Sequence, residues 1–584
     1  ATLSSSGALT ESGQGAISAA SLTGSSTGGA SLNGANQIST LDAFTNSGAG
    51  GFALTDGEAL NVSASLNAGS GNVALTTTSG GISIANSVNA GGQATLISAG
   101  TLAESGAGVV DAASLTGSSV GGTNLNGANL ISTLGGFANT GSGDFVLDNG
   151  EALTVTGTVN AGSGNLTLAT TSGGIAVEGQ LTAGAQATLN SAGTLAESGS
   201  GAISAGSLTG SAVGGATLNG ANQTDGQTLI VGGAIGVGGG NLALTITSGG
   251  LAIDAALNAS TVVLSSTGSV TQTQAITASD LDLLGTGGNY TLTDASNSVG
   301  TVAANTGSIN LTDNPTLIVN TAGSTSGITT TGNATLTSVS GGIEIENFVS
   351  SGARLTVNTA GPLSEVGSGA IDAATLAGST VGGATLNGTN LIAALGNFSN
   401  TQTGNVSIKD NEALAITGNV NVVTGSITTP YGSEPVGALT LKSTGTLSES
   451  GAGRIVAGTF MGSSVGGATL NGANLITTID SFANSGSGNI GLTNAQTLTV
   501  SGPVNAGSGN LTLATTSGNL AITGTVEGNT VTLGSTLGSV TGSGPITASL
   551  LNVTANTGID LTGANDIAAI GTNETNSGPD FINR

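Results

Sequence analysis

Along the whole chain apolar residues alternate with polar ones in short runs, and each run stops at a Ser-Gly or Gly-Gly pair. In Asn165-Leu-Thr-Leu-Ala-Thr-Thr and Gly174-Ile-Ala-Val, aliphatic side chains hold every second position. A period of two residues, rich in β-branched side chains and closed by turn pairs, predicts strands. No window of helical length sustains a 3.6-residue period, and with a glycine about every six residues a helix would lose ~1 kcal/mol at each one. The chain is expected to be all β.

One phrase orders these runs. Gly214-Gly-Ala-Thr-Leu-Asn-Gly-Ala-Asn222 has near-copies at residues 28–36, 121–129, 382–390 and 466–474. Its leucine recurs at even spacing from Leu32 to Leu125 to Leu218, and at a somewhat shorter spacing from Leu386 to Leu470. Within one repeat the runs fall into four segments, 131–158, 159–180, 181–202 and 203–223. Self-similarity on both scales predicts a β-solenoid, a right-handed parallel β-helix in the reading developed below, with about 20 to 28 residues per coil and four coils per ~93-residue repeat.

In such a coil Leu, Val, Ile and Ala fill a narrow interior, Ser, Thr and Asn face outward, and Gly takes corners that need positive φ. About 26 coils at the ~4.8 Å strand spacing predict one continuous domain, residues 1–584, on the order of 125 Å long. Residues 1–223 hold regular repeats, 224–350 are expected to continue as coils of different outline, and 351–584 return to the repeat with an inserted loop at 428–437. Leu32, Leu125, Leu218, Leu386 and Leu470 are expected to be buried at equivalent places. Phe44, Phe137, Phe398 and Phe482 each follow a motif leucine at the same fixed distance, and a large ring placed once per repeat is a core filler. Asn36, Asn129, Asn222, Asn390 and Asn474 are expected at corners, where asparagine tolerates a left-handed backbone and bonds its own turn. Glu11, Glu104, Glu197, Glu365 and Glu449 recur in the frame Leu-x-Glu about four coils apart, ~19 Å where the repeat is regular, too far to repel or cooperate.

Composition narrows the chemistry. Histidine, cysteine and tryptophan are absent, charged residues are 6% of the chain and apolar ones 37%. Without His or Cys there is no Ser-His-Asp triad, no thiol nucleophile, no His or Cys zinc site and no disulfide. A net charge of −26, with Arg354 the first basic residue, argues against nucleic acid as a partner. The apolar runs fall far short of the ~20 residues that a membrane-spanning helix needs. A carboxylate pair could serve glycoside cleavage. Here the carboxylates are dilute, the only basic residues are Arg354, Lys409, Lys442, Arg454 and Arg584, and aromatic platforms for sugars are nearly absent. No enzymatic activity, catalytic residue or cofactor is expected. Tandem Gly-Gly-x-Gly-x-Asp repeats do not occur; Gly141-Ser-Gly-Asp144 with Asp148 comes closest, and no structural calcium ladder is predicted.

Three stretches, Asn165-Leu-Thr-Leu-Ala-Thr-Thr-Ser-Gly-Gly-Ile-Ala-Val, Val159-Asn-Ala-Gly-Ser-Gly and Leu561-Thr-Gly-Ala-Asn-Asp-Ile, resemble the repeats of filamentous-haemagglutinin-like bacterial surface exoproteins. Repeats of this style also occur in autotransporter passengers, and the likeness runs over almost the whole chain. It implies a right-handed parallel β-helix exported across a Gram-negative outer membrane to the cell surface, used in adhesion, aggregation or biofilm formation. It implies no catalytic residue. The expected function is the structural and adhesive shaft of an extracellular fibre, with host or neighbouring-cell surfaces or matrix polysaccharide as partners. A self-assembling filament or sheath subunit stacking end to end is the alternative, and a polysaccharide-processing solenoid enzyme a more distant one. Two prolines in Thr428-Thr-Pro-Tyr-Gly-Ser-Glu-Pro-Val-Gly437 break the repeat, so Pro430, Tyr431, Glu434 and Pro435 are expected on a protruding loop, the candidate interaction site. Ala1 opens inside a coil and neither end shows a cap, so further coils of the same polypeptide or docked subunits are expected there.

Overall fold

The computed structural model describes residues 1–222, 228–247, 249–422, 426–429, 432–435 and 437–583, the stretches 426–429 and 432–435 by backbone alone. The fold is a parallel β-solenoid of about 27 turns, with coils about 21 residues apart and no helix among the described residues. The chain divides into two compact units, Ala1–Asn289 and Tyr290–Arg584.

In the first unit a coil carries three short strands, for instance Leu66–Asn67, Val73–Thr77 and Ile82–Ile84. Each strand pairs in parallel with the strands one turn before and after it. Val73 stacks on Phe52, Ala94 on Val73 and Leu115 on Ala94, and all four are buried. The polar partners of these positions point outward, which is the period of two read in the sequence. Backbone hydrogen bonds cross between coils, as where the Phe52 N–H donates to the Asn72 carbonyl at 2.8 Å.

The sequence repeat spans the four expected coils and one further side. Four steps from Phe52 lead through Val73, Ala94 and Leu115 to Leu134. The next sequence copy of Phe52 is Phe145, which stacks instead on Thr123 in the column running through Leu60, Ile82 and Leu102. Each copy of the motif is therefore turned one side around the coil relative to the last. One-residue bulges, such as that where Leu115 and Gly117 face Leu134 and Phe137, absorb the mismatch. Leu32, Leu125 and Leu218 are buried as expected, at 2%, 0% and 2% exposure, each with the same local neighbours on a different side.

The second unit explains the shorter interval from Leu386 to Leu470. From Leu386 the column runs to Ile408, Leu441 and Gly462, three steps in place of four, before Leu470 follows one side further on. The step from Ile408 to Leu441 is longer than a regular coil, because an insertion lies between them. Part of it, Ser426–Thr429 and Gly432–Pro435, forms its own antiparallel two-stranded sheet.

The less regular stretch continues as parallel coils in both units. Leu229–Gly236 pairs with Leu251–Ile253, and Asn241–Ile246 with Leu257–Ser266. Further on, Ile309 stacks on Ala334 and Ala334 on Leu355. A small antiparallel pair, Thr321–Ala322 with Thr325–Ser326, interrupts it; no proline marks this insertion in the sequence.

The phenylalanines fill the core. Phe44, Phe137 and Phe398 are at most 1% exposed and Phe482 3%. Phe44 meets Phe52 with ring centroids 4.6 Å apart, and Phe137 meets Phe145 at 5.1 Å. The asparagines bond their own turn as expected, Asn129 Nδ2 donating to Leu125 O at 3.1 Å and to Gly127 O at 3.2 Å, and they reach further. Asn36, Asn129, Asn390 and Asn474 lie within strands, with side chains turned inward and 0% exposed. A corner role would satisfy one turn; here each amide ties together three successive coils. Asn129 Oδ1 accepts the Val110 N–H of the coil before at 2.7 Å, and Nδ2 donates to Leu125 O of its own coil at 3.1 Å and to Asp148 O of the next at 3.0 Å. Positive-φ turns fall to glycines such as Gly122 at φ 100°.

Candidate interaction surface

The sequence-predicted site falls on the insertion between Val422 and Ala438. Pro430 and Tyr431 lie outside the described residues. The backbone of Glu434 and Pro435 belongs to the strand Gly432–Pro435, opposite Ile427 and Ser426; their side chains lie outside the described residues. The ladder beneath is undisturbed: Val406, Ser407 and Ile408 stack on Leu439, Thr440 and Leu441 across the insertion.

The same pairing sets Lys409 directly beside Lys442. Like charges opposed across neighbouring strands repel, and these are two of only five basic residues in a chain of net charge −26. Asp410, next to Lys409, faces the other way and is fully buried, accepting the Ile392 N–H at 2.8 Å. With Ser407 stacked on Thr440, this face presents a small cationic patch on a hydroxyl-rich ladder. The two lysines share the frame Val406-Ser-Ile-Lys409 and Leu439-Thr-Leu-Lys442, a signal that the insertion hides from a fixed-period search.

A second recurrent constellation, buried at Glu104 and Glu197 and half-buried at Glu11, Glu365 and Glu449, is not legible in the sequence. Each Leu-x-Glu glutamate reaches the central glycine and the last asparagine of the motif that follows it. Glu104 Oε2 accepts the Gly127 N–H at 2.6 Å and Asn129 Nδ2 at 3.2 Å; Glu197 takes Gly220 at 2.6 Å and Asn222 at 2.9 Å. Glu11, Glu365 and Glu449 bind Gly34 and Asn36, Gly388 and Asn390, and Gly472 and Asn474 in the same way. These glutamates are thus partners of residues 23 and 25 positions further on, one coil away, and not of one another. Burial pushes the carboxyls of Glu104, Glu197, Glu365 and Glu449 above the usual range, against the pull of these hydrogen bonds.

No protein-family model, curated protein or solved structure matches this chain. Its architecture is that of a β-helical repeat protein. Among the described residues no group of three or more His, Cys, Asp or Glu could hold a metal ion. Asp144 uses one carboxylate oxygen to accept the Asn165 N–H at 2.8 Å and its side-chain amide at 3.2 Å, while Asp148 acts on Glu104, whose proton affinity its charge raises. No helix among the described residues is long and apolar enough to cross a membrane.

Proposed function

We propose that this chain is the structural and adhesive shaft of an extracellular fibre on a Gram-negative bacterial surface, and that the insertion with its neighbouring lysine pair makes the contact. The observation that carries this reading is the long step in the stacked ladder from Ile408 to Leu441, taken up by a hairpin that pairs with itself while the coils run on in register. A scaffold that keeps its ladder intact beneath an added hairpin is suited to display. The likeness of the Asn165–Val177 stretch to the repeats of bacterial surface exoproteins supports the extracellular location, and the cationic patch suits acidic groups of matrix polysaccharide or a cell surface. Deleting residues 423–436 should lower the adherence of beads coated with the chain to such surfaces several-fold, with thermal unfolding unchanged. Unaltered adherence of a folded deletion variant would overturn the assignment of this contact.

A further inference from the structure

The five glutamates of the Leu-x-Glu frame share one geometric anomaly. In Glu11, Glu104, Glu197, Glu365 and Glu449 both donors converge on Oε2, and Oε1 is buried with no hydrogen-bond partner. A carboxylate spreads its charge over both oxygens and seeks donors or a cation at each. Among the described residues no side-chain cation supplies the second. Asp148, an anion, is the charged group acting on Glu104, and among the described residues no charged group acts on Glu197, Glu365 or Glu449. Lys409, whose carbonyl accepts from Asn390 beside Glu365, carries its ammonium outward, and Arg454 Nε donates to Asn419 Oδ1. Glu104 and Glu197 are only 8% and 6% exposed, and Glu365 and Glu449 are half-buried.

We propose that Glu104, Glu197, Glu365 and Glu449 are proton-binding sites built into the coils, each held as a neutral carboxylic acid with the proton on Oε1 and with Oε2 as the acceptor of the glycine and asparagine N–H groups. A neutral acid keeps both of those bonds and removes the buried net charge, and an unpaired hydroxyl hydrogen is far less costly to bury than an ion. The direction in which burial displaces these four carboxyls agrees with this. The fold therefore takes up protons as its surroundings acidify, at four of the five motif copies.

The test is isotope-edited infrared spectroscopy of the full chain carrying ¹³C in its glutamate side-chain carboxyls, titrated downward from about pH 8. The chain has 14 glutamates. Four of them should show the carboxylic-acid carbonyl band above the ordinary glutamate range of about pH 4.3, and this early band should vanish in the E104Q/E197Q/E365Q/E449Q variant. Glutamine retains an oxygen for the two N–H donors, so the variant is expected to fold. Should it not, E197Q alone should remove a quarter of the band. Glutamates that all titrate together in the ordinary range, or an early band that survives the substitutions, would overturn the proposal.

Discussion

Glycine and phenylalanine in adjacent coils work as one unit. Gly117 lies in register with Phe137, and a Cβ added to it would sit 2.0 Å from Leu96 O and 2.9 Å from Phe137 Cε2. Gly24, Gly378 and Gly462 stand in the same relation to Phe44, Phe398 and Phe482. The clash with a backbone carbonyl has no flexible partner to yield, so Gly117→Ala is expected to lower stability by about 1–3 kcal/mol in urea denaturation. Gly236, where an added Cβ meets nothing within 4 Å, is the control, and Gly236→Ala should leave the midpoint in place. The ring's position was legible from its fixed distance to the motif leucine. Its glycine partner was not, because that partner lies a whole coil earlier in the chain and becomes adjacent only once the coil closes. Asn129→Ala tests the inward amide in a different way. It leaves the buried Val110 N–H without its acceptor, at about 1–3 kcal/mol, and hydrogen exchange at Val110 should accelerate; a corner asparagine bonding its own turn would leave that amide untouched.

At the scale of strands and coils, alternation carried the class of element and the coil length, because a two-residue period states directly which side chains enter a narrow interior. What it could not carry was how the repeat closes on the coil. The motif copies are alike in sequence, yet Phe52 and Phe145 stand in different columns, a fact set by bulges and turn lengths and not by the apolar pattern. The Leu-x-Glu glutamates are visible in the sequence, but spaced one per repeat they look isolated there; their partners lie one coil on. Leu218 offers a test of this register. It is 2% exposed in the strand Ala216–Leu218, which pairs with Leu195–Glu197 on one side and with Asn241–Ile246 on the other, so that Glu197 lies next to Leu218 in the same column. Leu218→Asp would bury a second carboxyl beside that of Glu197, with no cation to pair it, at a cost of several kcal/mol. Limited proteolysis should then open the chain near residues 195–220 first. If cleavage there stays as slow as in the parent chain, Leu218 is not where the ladder places it.

For the molecule as a whole, the net charge of −26 was plain from composition, but which acids are buried was not, since an inward Asp and an outward one occupy the same kind of run. Asp313 is the clearest case. It is fully buried, its Oδ1 accepts the Val299 N–H at 2.9 Å, and its Oδ2 has no partner; burial pushes its carboxyl from 3.8 up to about 7. The same position in other repeats is filled by Asn149, whose Oδ1 accepts the Ile131 N–H at 2.9 Å while Nδ2 donates to Ile131 O at 3.0 Å. An amide thus does the work of the acid without its charge. Below about pH 3.8 the carboxyl is neutral whether the chain is folded or unfolded, and the fold bears no penalty. As pH rises toward 7 the unfolded chain ionises freely while the folded one must keep its proton or bury a charge, so stability is lost, by at most ~4 kcal/mol for a displacement of this size. Asp56, Asp148 and Asp410 are displaced in the same direction by burial, and fewer ionised acids also weaken the self-repulsion of so anionic a chain. The urea midpoint should therefore rise as pH is lowered from 8 to 5. Asp313→Asn separates the specific term from the general one: it should raise the midpoint at pH 8 and make almost no difference at pH 4, whereas an equal effect at both pH values would show that Asp313 is not the group that feels the change.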